Sequence, residues 1–133
     1  MNIYLDDIRF PINTFNYIKD PRYVKLDWIV VRSYNDFVNV ISKNGLNNIS
    51  IISFDHDLHD SHYGRDELPW STDGEIDYFS YTEKTGYDCA KWLCDYALST
   101  NSKIPEILIH SCNPVGSKNI KHYINNFIKH HII

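Results

Sequence analysis

The sequence predicts an α/β domain built on a four-stranded, mostly parallel β-sheet. Four short runs are apolar at nearly every position, which is typical of strands that helices cover on both faces. Segments with helical periodicity separate or follow these runs, and this alternation predicts βαβ units with right-handed crossovers. The predicted strands are Ile3–Asp6, Trp28–Arg32, Ile49–Asp55 and Ile107–Ser111.

Three of the predicted helices have a clear apolar face. The first begins after Ser33, a candidate N-cap, and ends at Gly45. The second runs from Gly86 to about Ser99, and its apolar stripe consists of Tyr87, Ala90, Leu93, Cys94, Ala97 and Leu98. The third is the last helix of the chain, with an apolar face of Ile120, Tyr123, Ile124, Phe127 and Ile128. One short helix is expected between residues 11 and 27, where the pattern is weak.

Residues 58–85 show no convincing periodicity, so we expect a long insertion after the third strand. Loops of this length in compact domains often act as lids over a binding site. Trp70 and the aromatic residues around it could stack on a nucleobase, or could simply pack on the body of the domain. Because neither a linker nor a repeat interrupts the chain, residues 1–133 are predicted to form a single domain.

The composition limits the class of protein. A hydrophobic content of 43% is enough for a real core, and a formal net charge of −4 argues against bulk electrostatic binding of nucleic acid. A small anionic ligand is still compatible with a local positive charge. No segment is long and apolar enough to span a membrane, and no signal peptide is evident, so we expect a cytoplasmic protein. The three cysteines form no CxxC pair and are predicted to be free thiols.

Ionisable side chains gather at the ends of three predicted strands. In a parallel sheet, ligands bind outside the carboxyl ends of the strands. Crowded carboxylates repel one another unless a cation bridges them, and oxygen ligands suit Mg²⁺ or Mn²⁺. An aspartate after a strand can also cap a helix or close a turn, so the metal is one of two interpretations. The predicted metal ligands are Asp6, Asp7, Asp55 and Asp57.

Two histidines, His56 and His110, belong to the same predicted site. Imidazole gives and takes protons near neutral pH, so one of them is expected to act as a general base and the other as a general acid. Asp55 is the third predicted catalytic residue.

Four residues besides Trp70 are candidates for holding a phosphate. Asn113 precedes Pro114 in a pattern that starts a helix, and the helix N-terminus would attract an anion with the help of Lys118. Ser111 is expected to donate a hydrogen bond rather than act as a nucleophile, because no Gly-x-Ser-x-Gly motif surrounds it. Arg9 could clamp a phosphate through two hydrogen bonds or form a surface ion pair.

Four motifs occur in order along the chain: LDDIRFP at residues 5–11, ISFDHDL at 52–58, TGYDCAKWL at 85–93 and HSCNPVG at 110–116. Together they resemble the cyclic-phosphate-processing receiver-like domain family, which is related to the receiver domains of response regulators. The resemblance implies a receiver- or flavodoxin-like three-layer sandwich with strand order 2-1-3-4. It also implies that the fifth strand of ordinary receivers, and the lysine that this strand carries, are missing.

The same resemblance implies that the ligand is a cyclic phosphate or a cyclic nucleotide. A hydrolase that opens the phosphodiester is the first hypothesis, because the missing lysine and the two histidines fit hydrolysis better than phosphate acceptance. The alternatives are a non-catalytic protein that binds and withholds a cyclic nucleotide, and a signalling receiver that is phosphorylated on Asp55.

Overall fold

The structure is a computed structural model that describes residues 1–58 and 84–131. Four strands form one sheet in the order β2-β1-β3-β4, and every pairing in it is parallel. The strands are β1 Asn2–Leu5, β2 Trp28–Val31, β3 Ile51–Phe54 and β4 Glu106–Ile109. The predicted α/β class and the predicted strand order are both confirmed.

The four strands end at a common level. Leu5 of β1 lies in register with Val31 of β2 and with Phe54 of β3, and Phe54 lies in register with Ile109 of β4. The residues that follow these four positions therefore form a row along the carboxyl edge of the sheet.

The predicted strand boundaries are wrong by one or two residues. Each predicted strand extends past the observed end. After three of the strands the hydrogen-bond ladder continues for one more residue, because the N–H groups of Asp6, Asp55 and His110 still donate to the neighbouring strand. The third strand begins two residues later than predicted, since a 3₁₀ turn at Leu46–Asn48 occupies the chain before it. These polar residues thus lie just past the ends of the strands, and their backbone N–H groups are still hydrogen-bonded to the sheet.

Within the described residues, five α-helices flank the sheet. They are α1 Pro11–Ile18, α2 Arg22–Lys25, α3 Tyr34–Asn44, α4 Gly86–Thr100 and α5 Pro114–His130. The single short helix expected between residues 11 and 27 is wrong, because two helices occupy this segment. Lys19 takes a left-handed conformation (φ 64°) that ends α1, and α2 begins after Pro21.

The predicted helix ends are confirmed where a cap marks them. The Ser33 hydroxyl accepts the N–H of Asp36 at the start of α3, and Gly45 stops this helix at a positive φ of 81°. Two members of the predicted apolar faces are wrong: Leu98 of α4 and Ile128 of α5 are at least half exposed. Both lie at the margin of an apolar stripe, where helical spacing alone does not distinguish core from surface.

Strand side chains alternate between two buried faces of the sheet. One face presents Ile3, Leu5, Ile52 and Phe54 to a core that also contains residues of α3, α4 and α5. On the other face, the Tyr4 ring contacts Tyr23 of α2, and its hydroxyl bonds Thr14 of α1 at 2.6 Å. The sheet is therefore the central layer, and the polar row lies at its carboxyl edge, on the side from which the chain leaves each strand for the next helix.

Candidate functional site

Three residues at the carboxyl edge of the sheet form a buried polar cluster. Asp6 follows β1, Asp55 follows β3 and His110 follows β4, and each side chain is at most 1% exposed. One ligand atom from each lies within 4.8 Å of the others, close enough to hold a metal ion. Asp6, Asp55 and His110 are called the edge cluster below. The strand register explains it, because these three residues occupy equivalent positions in neighbouring strands.

Asp6 accepts four hydrogen bonds from the protein itself. The backbone N–H groups of Ile8 and Arg9 donate to Oδ1 at 3.0 and 2.8 Å. Oδ2 receives the Arg9 Nε–H at 2.9 Å and lies 3.1 Å from His110 Nε2. Burial by itself would raise the pKa of this carboxyl, but the hydrogen bonds and the Arg9 charge outweigh burial and hold the pKa at about 2. Asp6 is therefore ionised at any ordinary pH.

The Arg9 guanidinium lies between the two carboxylates of the edge cluster. Nε donates to Asp6, and Nη2 donates to Asp55 Oδ1 at 3.2 Å. Nη1 donates to the Tyr17 hydroxyl at 2.7 Å and to Cys112 Sγ at 3.1 Å. The sequence left open a phosphate clamp or a surface ion pair; the structure has an ion pair whose acidic partners are buried.

Asp55 differs from Asp6 in how its two oxygens are engaged. Oδ1 accepts the backbone N–H of His56 at 2.9 Å and the Arg9 Nη2–H. Oδ2 is buried and has no hydrogen-bond partner among residues 1–58 and 84–131. Burial first, and then the nearby Asp6 charge, raise the pKa of Asp55 from 3.8 to about 8, although Arg9 opposes this increase. The carboxyl consequently holds a proton through most of the neutral range.

His110 bonds inward through both ring nitrogens. Nε2 faces Asp6, and Nδ1 lies 2.7 Å from the Ser53 hydroxyl, which in turn lies 2.7 Å from the Tyr23 hydroxyl. The imidazole stacks on the Tyr4 ring with centroids 4.4 Å apart. Burial lowers the pKa of His110 below 6.5, against the opposing effect of Asp6. A neutral ring that donates from Nε2 to the ionised Asp6 and accepts at Nδ1 from Ser53 gives each of these two hydrogen bonds one donor and one acceptor.

His56 is fully buried and paired with Asp57. Its Nδ1 lies 2.8 Å from Asp57 Oδ1, a contact that places the proton on Nδ1 and leaves Nε2 as the basic nitrogen when the ring is neutral. Two glycines make room for this segment. A Cβ on Gly116 of α5 would overlap the His56 ring, and a Cβ on Gly86 of α4 would overlap the backbone of Asp55. The starts of both helices thus fix where His56 lies.

The segment after β4 forms the cap of α5. The Asn113 Oδ1 accepts the N–H of Gly116 at 2.9 Å, which confirms the predicted helix start. Its Nδ2 is buried without a hydrogen-bond partner in the described part of the chain. The Ser111 hydroxyl accepts the N–H of Asn113 at 3.1 Å, so this oxygen already supports the turn. A buried amide with an unused donor is well suited to bind an anion.

The structure brings some of the predicted site residues into contact and leaves others apart. Asp6, Arg9, Asp55 and His110 contact one another, and His56 and Asp57 form a pair directly after them. Asp7 is half-buried beside Asp6, and its carboxylate oxygens are shielded from solvent. Lys118 is exposed on α5 and lines an open groove of about 800 Å³ along β4. Trp70 lies outside the described residues, so its stacking role stays a prediction.

Sequence reasoning missed three residues of this network: Tyr17, Tyr23 and Ser53. Tyr17 accepts from Arg9 and donates its own hydroxyl to the His110 carbonyl at 2.7 Å. Ser53 carries a detectable signal, because it is the one polar residue inside an apolar strand and lies two positions before Asp55. Tyr17 and Tyr23 carry none, since tyrosine is common in helices that pack on a sheet.

Comparison with known proteins identifies the family. Residues 1–126 match the family described as the cyclic-phosphate processing receiver domain. The chain belongs to this family. No curated protein and no solved structure matches the chain. In this receiver domain, none of the helices formed by residues 1–58 and 84–131 is long and apolar enough to cross a membrane.

The edge cluster of this receiver domain suits a metal ion only in part. Carboxylate oxygens are the preferred ligands of hard divalent cations, and the Asp55 Oδ2 accepts no hydrogen bond from residues 1–58 and 84–131. Both Asp6 oxygens and both His110 nitrogens, in contrast, are already hydrogen-bonded inside the protein. An ion at this position would have to replace some of these contacts.

Proposed function

We propose that this receiver domain is a hydrolase that opens a cyclic phosphodiester, with Asp55 and His56 as the groups that transfer protons. The observation that carries the proposal is the Asp55–Arg9 pair: a buried carboxyl with a pKa of about 8 lies 3.2 Å from a guanidinium. A proton donor and a fixed positive charge at one point are what the departure of a phosphate-bound oxygen requires.

In the proposed reaction a water molecule attacks phosphorus, and one ring P–O bond breaks. His56, held by Asp57, accepts the proton of the water at Nε2, and protonated Asp55 gives its proton to the leaving oxygen from Oδ2. Arg9 and the Asn113 amide hold the non-bridging oxygens, and Ser111 lies beside them. The product is a phosphate monoester that is still attached to the alcohol at its other end.

His110 receives a different role from the acid or base that its position suggested. Because both ring nitrogens bond inside the protein, we assign it to positioning: it holds Asp6 ionised, and Asp6 holds Arg9. A Mg²⁺ or Mn²⁺ ion would supply positive charge at the phosphate only if it took the place of the Arg9 guanidinium. Asp6 and Asp55 would be its principal ligands, with Asp7 and Asp57 as further candidates.

The proposal is tested by incubating the purified full chain with 2′,3′-cyclic nucleotides, 3′,5′-cyclic mononucleotides and cyclic oligonucleotides. Phosphorus NMR distinguishes the diester from the monoester product. We expect Asp55→Asn and His56→Gln to lower the rate by at least about 100-fold, because each removes a proton-transferring group. Lys121→Ala, an exposed position on α5, is the matched control and should retain full activity. Absence of turnover with all three substrate classes would contradict the proposal.

One observation favours a second function, in which the domain binds a cyclic nucleotide without cleaving it. Asp55 and His56 are at most 1% exposed, so a ligand reaches them only after neighbouring groups move. The two functions are distinguished by heating the complex and identifying the released ligand. Recovery of the intact cyclic nucleotide supports binding alone, and recovery of the monoester supports hydrolysis.

Phosphorylation of Asp55 is the third candidate function. This residue directly follows β3, and its carboxyl group lies beside that of Asp6, which follows β1. Incubation with acetyl phosphate followed by intact mass measurement tests it. A single added phosphoryl group that Asp55→Asn abolishes would favour a signalling receiver over a hydrolase.

A further inference from the structure

The position of Arg9 has a consequence for cation binding that is independent of any hydrolytic activity. Its guanidinium bridges Asp6 Oδ2 at 2.9 Å and Asp55 Oδ1 at 3.2 Å, and both carboxylates are at most 1% exposed. A cation that contacts both of these buried carboxyl groups must lie between them. In this chain a covalently attached cation already lies there.

The hydrogen bonds of Asp6 leave little capacity for another cation. A carboxylate offers about four lone-pair directions, and two backbone N–H groups, the Arg9 Nε–H and His110 Nε2 occupy them. The Asp55 Oδ1 likewise accepts two N–H donors. A divalent ion would therefore have to displace the side chain of Arg9 before it could bind both carboxylates.

One carboxyl oxygen of the pair is engaged neither by Arg9 nor by the backbone N–H of His56. Asp55 Oδ2 is buried, and within residues 1–58 and 84–131 no hydrogen bond reaches it. A buried oxygen without a hydrogen bond is destabilising, so once Asp55 has released its proton this oxygen is a ready ligand for an ion that enters. The edge cluster thus combines a strong internal cation with one unused acidic oxygen.

Contacts other than those with the two carboxyl groups also hold Arg9 in place. Its Nη1 donates to the Tyr17 hydroxyl and to Cys112 Sγ, and its backbone carbonyl accepts the Arg32 Nη1–H at 2.7 Å. Arg32 also donates to the Asp6 carbonyl at 3.1 Å. Because the loop and the side chain are both fixed, Arg9 does not simply swing out of the edge cluster when an ion approaches.

We propose that Arg9 occupies the cation position of the edge cluster, and that a divalent cation binds Asp6 and Asp55 only when this guanidinium is removed. Arg9 and the metal ion exclude each other because they use the same carboxylate oxygens. In the wild-type chain the edge cluster accordingly binds no divalent cation, because Arg9 takes its place.

The test is a titration of the full-length protein with Mn²⁺ alone, followed by electron paramagnetic resonance. We compare the wild type with Arg9→Ala, which removes the charge, and with Arg9→Lys, which keeps it. Arg9→Ala should bind one Mn²⁺ at least about tenfold more tightly than the wild type, since a positive charge within hydrogen-bond distance of both ligands is gone. Arg9→Lys should remain close to the wild type.

Two controls locate the bound ion. Asp55→Asn introduced into Arg9→Ala should abolish the gain in Mn²⁺ affinity. Lys121→Ala in the wild-type background should show no gain in Mn²⁺ affinity. If Arg9→Ala is unfolded without metal, Mn²⁺ should restore its circular dichroism by mass action; failure to do so would overturn the proposal. Wild-type protein that binds Mn²⁺ in an Asp55-dependent manner, as tightly as Arg9→Ala, would also overturn it. None of these measurements requires turnover of a cyclic phosphate.

Discussion

At the scale of single residues, the buried polar groups have one consistent arrangement of hydrogens. The Tyr23 hydroxyl donates to Ser53, Ser53 donates to His110 Nδ1, and His110 Nε2 donates to Asp6. The opposite direction would require a protonated Asp6, which its pKa of about 2 excludes. Each buried hydroxyl therefore has a single orientation, and the chain of bonds ends on the carboxylate that holds Arg9.

Mutation of the two hydroxyl groups tests this direction. We expect Ser53→Ala to lower the free energy of unfolding by about 2 kcal/mol, because it leaves Nδ1 of His110 buried without a donor. Tyr23→Phe should cost only about 1 kcal/mol, since the bond from Ser53 to His110 survives. Urea denaturation at neutral pH measures both values.

Nitrogen-15 NMR of the imidazole rings provides the direct readout for the same network. The wild type and Tyr23→Phe should both show His110 as the neutral tautomer protonated at Nε2. An Nδ1-protonated ring or an imidazolium signal at neutral pH would contradict the proposed direction.

At the scale of the elements, the start of α5 fixes the position of His56. Gly116 occupies the first turn of this helix, and the His56 ring lies where its Cβ would be. The close approach explains why a residue of low helix propensity is present inside a helix. A helix terminus and the residue after a strand are thus packed as one unit.

Gly116→Ala should reverse the usual effect of alanine in a helix. Propensity alone would favour alanine by about 1 kcal/mol, but the overlap with His56 is expected to lower the free energy of unfolding by about 1–3 kcal/mol. Cyclic-phosphate turnover should fall as well, because the imidazole is displaced. Asn125→Ala, on the exposed side of α5, should be neutral or slightly stabilising. Equal stability of Gly116→Ala and Asn125→Ala in urea would contradict the packing argument.

The elements and their order follow from the sequence pattern, whereas their ends depend on tertiary contacts. Continuous apolar runs and periodic helices predicted the parallel sheet, since burial on both faces leaves no other pattern. The break between α1 and α2 was missed because Lys19 adopts a left-handed conformation without being glycine or asparagine. Such a conformation is set by the surrounding packing rather than by the residue type.

The sequence predicts which polar residues meet at the edge of the sheet, but not what their side chains contact. The edge rule for parallel sheets correctly brought Asp6, Asp55 and His110 together. It does not say where each side chain points, so it could not show that both nitrogens of His110 bond inward. It also left Arg9 undecided, because the choice between surface and buried ion pair depends on residues distant in sequence, such as Asp55.

At the scale of the whole molecule, three groups of the edge cluster make stability depend on pH in different directions. Asp6, with its pKa lowered to about 2, stabilises the fold above about pH 4 and loses that contribution as pH falls through 2. His110, with its pKa lowered below 6.5, destabilises the fold as pH falls below 6.5, since only the unfolded chain takes up the proton. Asp55 acts oppositely, because the folded chain keeps a proton that the unfolded chain releases above pH 3.8.

The sum of these effects predicts how unfolding free energy changes with pH. Asp55 and His110 should act in opposite directions just below pH 6.5, and above it the effect of Asp55 alone should lower stability by about 2 kcal/mol up to pH 8. In Asp55→Asn this decline should vanish, and stability should instead rise with pH towards 6.5 as the effect of His110 becomes visible. Urea denaturation at closely spaced pH values measures both curves, with Lys121→Ala following the wild type. An unchanged decline in Asp55→Asn would mean that some other group holds the buried proton.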